Sequence, residues 1–299
     1  MEKQTENNFA DLWQYVGKHK PPIETALRRF LPLAPPSIET KFNEAIEYAL
    51  FPGGKRLRPV LTLLGAEVVG GTAEAVLPAA IAVEFIHSSS LIFDDLPCMD
   101  NAPERRGKTS LHEKYSEGLA ILAALGLLNA SYGLVFVNHH ELPERAMQAH
   151  AEIVECIGAS GMVGGQSLDL ALAKGASSND SIEQESSRNL KTSALMRLAL
   201  RLGGILAGAD YLQLSALSRF AELLGDAYQL GDDLLDLQED GEIFEGRQTF
   251  ALSYGTETAH LRLKTLTDEA KRILTEHFAP GEARTNLIQL TDYLAERTS

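Results

Sequence analysis

Three aspartates and two arginines crowd the stretch from His87 to Gly107, HSSSLIFDDLPCMDNAPERRG. Asp94 and Asp95 close the apolar run Leu91-Ile92-Phe93, and Asp100 follows shortly after. Ionised carboxylates beside buried side chains are costly unless a positive group sits on them. No His or Cys cluster accompanies them, which favours a hard divalent ion. Mg²⁺ takes one or two protein carboxylates and fills its other positions with water and phosphate oxygens. Arg105 and Arg106 offer planar forks suited to phosphate, and Gly107 lets the backbone turn tightly beside them.

A second acidic cluster lies at Gln229-Leu230-Gly231-Asp232-Asp233-Leu234-Leu235-Asp236. On a helical wheel Phe220, Leu223, Ala227, Leu230, Leu234 and Leu237 share one face, while Gln229, Asp232, Asp233 and Asp236 take the other. A single pattern of this kind is usually a solvated helix face. Two of them, each flanked by apolar helix, suit opposite walls of one cavity with metal between.

The basic residues complete the set. Gly53-Gly54-Lys55-Arg56-Leu57-Arg58 is a short Gly-hinged segment directly before an apolar helix, placed to close on a phosphate. His87 precedes Asp94 by two helical turns on the same stripe. Gln166, after Gly164-Gly165, and Lys191-Thr192 are weak signals by themselves.

The elements that must position these residues are helical. Apolar residues recur at helical spacing along the chain, no segment shows sustained strand alternation, and the expected class is all-α. Residues 1–20 read as a loosely held polar leader, with Phe9, Leu12, Trp13 and Val16 spaced for one short amphipathic helix. The division expected is therefore a leader, 1–20, and a catalytic domain, 21–299. Pro21-Pro22 and Pro35-Pro36 bracket a second helix around Ile23 to Phe30, and Ser37 is an expected N-cap for a helix running to Leu50. Residues 118–138 carry no charge, and they read as a fully buried helix of a large core, not a membrane span.

Composition narrows the function. A chain of 299 residues that is 44% hydrophobic holds a substantial core, and its net charge of -14 argues against nucleic-acid or anionic-membrane surfaces. The two cysteines, Cys98 and Cys156, make neither a disulfide framework nor a zinc site, and the N-terminal residues lack an apolar signal core. A cytoplasmic protein is expected.

Taken together, GGKRLRP at Gly53 to Pro59, DDLPCMD at Asp94 to Asp100, RRG at Arg105 to Gly107, GGQSLDL at Gly164 to Leu170, KT at Lys191-Thr192 and QLGDDLLD at Gln229 to Asp236 resemble the trans-isoprenyl diphosphate synthases of the farnesyl and geranylgeranyl type. The match runs in order through nearly all the chain after about residue 40. The resemblance implies a single bundle of long helices around a deep central cavity, usually in a homodimer. It implies that Asp94, Asp95, Asp100, Asp232, Asp233 and Asp236 bind Mg²⁺, about three ions per site. It gives Lys55, Arg58, His87 and Arg106 to isopentenyl diphosphate, and Arg105, Lys191, Thr192 and Gln229 to the allylic diphosphate. Gln166 joins the substrate-binding set, and catalysis would rest on the aspartates with Arg105 and Lys191.

The small Ser89 and Ser90 stand where similar enzymes place the floor of the product cavity. A product longer than farnesyl is expected, geranylgeranyl diphosphate first, unless a side chain from Leu119 to Leu128 closes the same space. The chain departs from the family pattern at Leu237 to Phe250, LQEDGEIFEGRQTF, which is acidic and lacks one of two usual lysines, and at Phe93 and Leu125-Gly126. Two other readings stay open: a weakly catalytic subunit that tunes an active synthase, and a class I terpene cyclase, which GGKRLRP and the second acidic cluster disfavour.

Overall fold

The chain is described by a computed structural model, which covers residues 9–51, 53–139, 141–173, 193–240 and 250–296. Within it the first helix, α1 (Ala10–Phe30), continues straight through Pro21 and Pro22. The sequence reading of a loose short helix and a separate second one is corrected here. Each proline removes a helical donor at a cost of about 3 kcal/mol. Burial on both sides offsets it, because Leu12, Tyr15 and Val16 before the prolines and Ile23, Ala26 and Leu27 after them lie on one stripe in the core.

α2 (Phe42–Leu50) begins later than expected from Ser37, which lies in the preceding turn. Asn43 fixes that entry by accepting from the backbone N–H of Ala34 at 2.8 Å and donating to its carbonyl at 3.0 Å. α3 (Leu57–Glu67) and α4 (Ala73–Asp94) form the centre, and α4 is buried on nearly every face until its last turn. A two-residue hairpin follows, β1 (Glu104–Arg105) with β2 (Lys108–Thr109), then the short α5 (Leu111–Lys114). The bundle continues with α6 (Glu117–Leu134), α7 (Pro143–Ile157), α8 (Met162–Ala173), α9 (Ala194–Ala207), α10 (Tyr211–Asp240), α11 (Phe250–Tyr254), α12 (Thr256–His277) and α13 (Glu282–Glu296). α9 packs against α3, α4, α7 and α10, and α13 closes on α12 and α1.

The crossing of α3 and α9 is tight because it is made of glycine. A Cβ on Gly203 would collide with the carbonyl oxygen of Thr62 and stand 2.7 Å from the backbone nitrogen of Ala66, and one on Gly65 would stand 2.9 Å from the Leu200 Cα. The two backbones therefore touch directly, which holds α3 and its leading basic segment at a fixed depth.

α6 departs from expectation. Its inner stripe, Ala120, Ala123, Ala124, Leu127, Ser131 and Leu134, is buried, but Ile121, Leu122 and Leu125 face outward, the last two about half exposed. It is not buried all round, because the core covers only one of its two apolar faces. α7 continues the outward patch with Met147 and Val154, and the two helices join where His150 packs on Tyr132 and Phe136. Among the described residues two helices, α4 and α6, are long and apolar enough to cross a membrane; the core buries 78% of the apolar stretch of α4 and 33% of that of α6.

The glycine crossing gives a direct test. Gly203→Val should lower stability by about 1–3 kcal/mol through overpacking, read as a lower urea midpoint with an unchanged slope. A midpoint equal to that of the parent would mean that the helices do not meet at these residues.

Candidate active site

The two arginines at the start of α3, Arg56 just before it and Arg58 within it, point in opposite directions. Arg56 sits at a positive φ of 57° and turns its guanidinium into the core, where it is buried. It donates to Glu24 at 2.8 Å, to Glu84 at 2.5 Å and to the Leu50 carbonyl at 2.7 Å. Burial alone would lower its pKa, but the bonds to Glu24 and Glu84 outweigh that and raise it. Arg56 thus ties α1, α2 and α4 together. Arg58, the second residue of α3, lines both cavities and donates from Nη1 to Nε2 of His87 at 3.3 Å. Arginine cannot accept, so Nε2 is the acceptor and the His87 proton is on Nδ1.

Two cavities meet at this pair. The basic one, about 320 Å³, is lined by Lys55, Arg58, Glu84, His87 and Arg106 on one side and by Met196, Tyr228, Leu290 and Tyr293 on the other. The second, about 460 Å³, also includes Arg58 and His87, then runs past Ser89, Ser90 and Asp94 into apolar walls such as Phe93, Leu128, Ile157, Met162 and Leu195. Ser90 donates its hydroxyl to the His87 carbonyl at 2.9 Å, so its polarity is spent within the helix. Leu128 is on this wall as the sequence suggested for that helix, and Leu119 is not. Gln166 also lines it, donating to Met99 Sδ at 3.6 Å and leaving Oε1 buried with no hydrogen-bond partner.

Asp94 ends α4, and the next residues form a closed loop. The Asp100 N–H bonds the Asp94 carbonyl at 2.9 Å, Asn101 bonds Leu96 at 3.1 Å and Ala102 bonds Asp95 at 3.2 Å. The four residues between Asp95 and Asp100 therefore loop out and return Asp100 beside Asp94. Asp95, expected among the metal ligands, has another partner: it is buried, and Arg105 meets it at 2.6 Å through both Nε and Nη2. That bond is the main reason the Arg105 pKa is raised.

The sequence did not reveal the hairpin that carries Arg105 and Arg106. Arg106 and Gly107 form its turn, both at positive φ, 55° and 70°, which matches the primed turns of two-residue hairpins. Lys108 donates to the Phe51 carbonyl at 3.0 Å and Tyr48 to the Thr109 carbonyl at 2.9 Å, docking the hairpin on the end of α2. These anchors place Arg106 at the basic cavity, while Arg105 turns to the acidic loop.

On α10, Phe220, Leu223, Ala227, Leu230 and Leu234 are buried, and Gln229, Asp232 and Asp233 are half-buried on the other face. Tyr228 lines the basic cavity, and Asp232 lies one turn further along its stripe. The Asp236 side chain, Lys191, Thr192 and residues 241–249, where the sequence departs most from the family pattern, lie outside the described residues. Among the described residues no three His, Cys, Asp or Glu side chains converge on one point. Asp94 and Asp100 are hard oxygen donors whose backbones the loop brings together, a donor type that fits Mg²⁺.

A polyprenyl synthetase family model matches residues 39–289. The chain belongs to the polyprenyl synthetase family. Geranylgeranyl pyrophosphate synthase 9 of Arabidopsis thaliana is 35% identical, over 99% of this chain and 84% of the relative. The geranylgeranyl diphosphate synthase of Cyanophora paradoxa is 33% identical, over 99% and 100%. Among solved structures, an FPP/GFPP synthase from Zymomonas mobilis superposes with a TM-score of 0.87 at 29% identity, covering 96% of this chain and 99% of that one. A geranyltransferase from Legionella pneumophila gives 0.84 at 30%, covering 97% and 99%. The all-α bundle and the membership expected from the motifs are thus both found.

The histidine of this synthetase site has a testable charge state. Burial first, then the positive charges of Arg58, Arg106, Arg105 and Arg56, hold its pKa well below the ordinary 6.5. A depressed histidine pKa favours the folded state above pH 6.5, and the advantage is lost as pH falls, because the unfolded chain takes the proton first. The chemical-denaturation stability should therefore decline from pH 7.5 to 5.5 in phosphate-free buffer. In His87→Gln the decline should be shallower by up to about 1.4 kcal/mol per pH unit. Equal slopes would mean that His87 titrates normally.

Proposed function

We propose that this prenyltransferase condenses isopentenyl diphosphate with an allylic diphosphate in trans, giving a short-chain prenyl diphosphate, geranylgeranyl first. The observation that carries this reading is the Arg58–His87 pair standing in both cavities, with a basic pocket on one side and an apolar one on the other. Two diphosphate substrates with apolar tails would meet there.

Lys55, Arg58 and Arg106 hold the isopentenyl diphosphate, and neutral His87 donates to it or to a neighbouring oxygen from Nδ1. The allylic tail lies in the apolar cavity, where Phe93, Met162 and Leu195 exclude water from a carbocation. Asp94, Asp100 and the α10 aspartates would hold Mg²⁺, which when bound would supply positive charge to stabilise a departing diphosphate. The allylic carbon–oxygen bond breaks, the isopentenyl double bond forms the new carbon–carbon bond, and the released diphosphate takes the surplus proton. No protein nucleophile takes part. Orientation of the two substrates in one dry space supplies much of the rate. Arg105 passes from Asp95 to the allylic diphosphate, with Gln229, Lys191 and Thr192 as further contacts. Ser89 and Ser90 leave the cavity open beside Asp94, which supports a product beyond fifteen carbons. A cytoplasmic location belongs to the same reading.

Purified protein with Mg²⁺, isopentenyl diphosphate and dimethylallyl, geranyl or farnesyl diphosphate should yield mainly the C20 diphosphate. Mainly C15 product would reject the assigned length, hydrocarbon would indicate a cyclase, and no product would indicate a subunit that needs a partner. Asp94→Ala and Asp232→Ala should each lower kcat by about a hundredfold or more with little change in thermal midpoint. Near-normal rates in both would overturn the metal assignment.

The outward face of α6 and α7 supports a second copy of this chain as partner, since apolar patches of this kind on soluble proteins mark interfaces. One relative is named as the large subunit of a heterodimeric geranylgeranyl pyrophosphate synthase, 35% identical over 95% of this chain and 76% of that relative. Sedimentation should give a dimer for the parent and a monomer for Leu122→Glu with Leu125→Glu. A parent that sediments alone as a monomer would assign the face to a different chain.

A further inference from the structure

Lys55 is an exposed basic residue of the diphosphate pocket, and its side chain lies against Trp13 and Tyr293, from opposite parts of the chain. Its Nζ donates to the Tyr293 hydroxyl at 3.2 Å and lies 5.5 Å from the centre of that ring. The same ammonium lies 5.0 Å from the Trp13 ring centre, within the range of cation–π attraction. Trp13 and Tyr293 meet edge to face at 5.1 Å, and Phe9 supports Tyr293 from the far side at 5.8 Å. The Trp13 indole N–H is buried without an acceptor, although a buried indole normally finds one. The ring is therefore not held by a polar bond of its own, and its face toward Lys55 is what remains.

We infer that Trp13 and Tyr293 are positioning residues for Lys55, holding its ammonium at the mouth of the basic cavity for the isopentenyl diphosphate. The inference rests on the proposed reading of that cavity. A lysine on a Gly-hinged segment would otherwise spread over many rotamers, and ordering it would weaken binding each time substrate arrives. An ammonium has three donors, and Tyr293 takes one. The other two stay available to phosphate oxygens. Tyr293 itself lines the cavity, so the aromatic pair links the pocket wall on α13 to a helix at the other end of the chain. Trp13 and Tyr293 both lie outside residues 39–289, the stretch that the family model matches.

The test measures KM for isopentenyl diphosphate, KM for the allylic diphosphate and kcat in Trp13→Leu, Trp13→Phe and Tyr293→Phe. Trp13→Leu should raise the isopentenyl KM about tenfold, with the allylic KM and kcat within about twofold of the parent. Trp13→Phe, which keeps an aromatic face, should recover most of that loss, and Tyr293→Phe should show a smaller rise through the lost hydroxyl. In a Lys55→Ala background Trp13→Leu should add nothing. A merely structural Trp13 would lower the thermal midpoint and shift both KM values alike, or add its full effect without Lys55, and either result overturns the inference. Lys55→Ala with an unchanged isopentenyl KM would instead remove the reading of the basic cavity itself.

Discussion

Positive charge gathered inside a helical bundle is the constraint on which the rest of the structure depends. Arg58 stands against a neutral histidine, with Arg106 beside the same space and Arg56 just beneath. Burial lowers the pKa of Arg58, which is the sign of a cation held without full solvation. Such a cluster persists only if the backbone around it cannot relax. The direct backbone contact at Gly65 and Gly203 fixes α3, and the Arg56 bonds to Glu24 and Glu84 fix the turn that precedes it. Removing one member of that buried network would leave an uncompensated charge, typically a loss of about 3–5 kcal/mol.

The acidic side obeys the opposite logic. Asp95 already has its cation in Arg105, whereas Asp94 and Asp100 are drawn together by a backbone bond that ignores their mutual repulsion. Both add to the field that raises the Arg105 pKa. One acidic motif therefore performs two tasks: Asp95 orients the hairpin, and Asp94 lines the apolar cavity.

Much of the site was legible from residue types and order, because a phosphate needs forks and a hard ion needs carboxylates wherever they fall in a fold. The wheel of α10 was legible too, since one helix with one buried face obeys its period. What escaped was tertiary. Pro21 and Pro22 look like helix stops until the packing of Leu12 and Ile23 on one stripe is known. The outward face of α6 looks like core, because a sequence cannot say which of two apolar faces the chain itself covers. Residue type alone does not separate Arg56 from Arg58; only the family resemblance singles out Arg58. The left-handed turn at Arg56 sends one down to glutamates and the other in toward the cavity.

α1 and α13, far apart in sequence, lie together beside the same cavity. The backbone N–H of Leu12 donates to Gln289 at 2.9 Å, and Gln289 in turn donates to Asp11 at 2.9 Å, clasping α1 to α13. A contact across so much sequence is slow to form and has a loop-closure cost, so local packing alone does not account for it. The clasp lies on the same two helices as Trp13 and Tyr293, whose rings lie against Lys55. Closing the chain on itself thus completes the rim of the basic cavity. A substrate anion that binds across this rim would stabilise the clasp by the same free energy with which the clasp favours binding, as linkage requires.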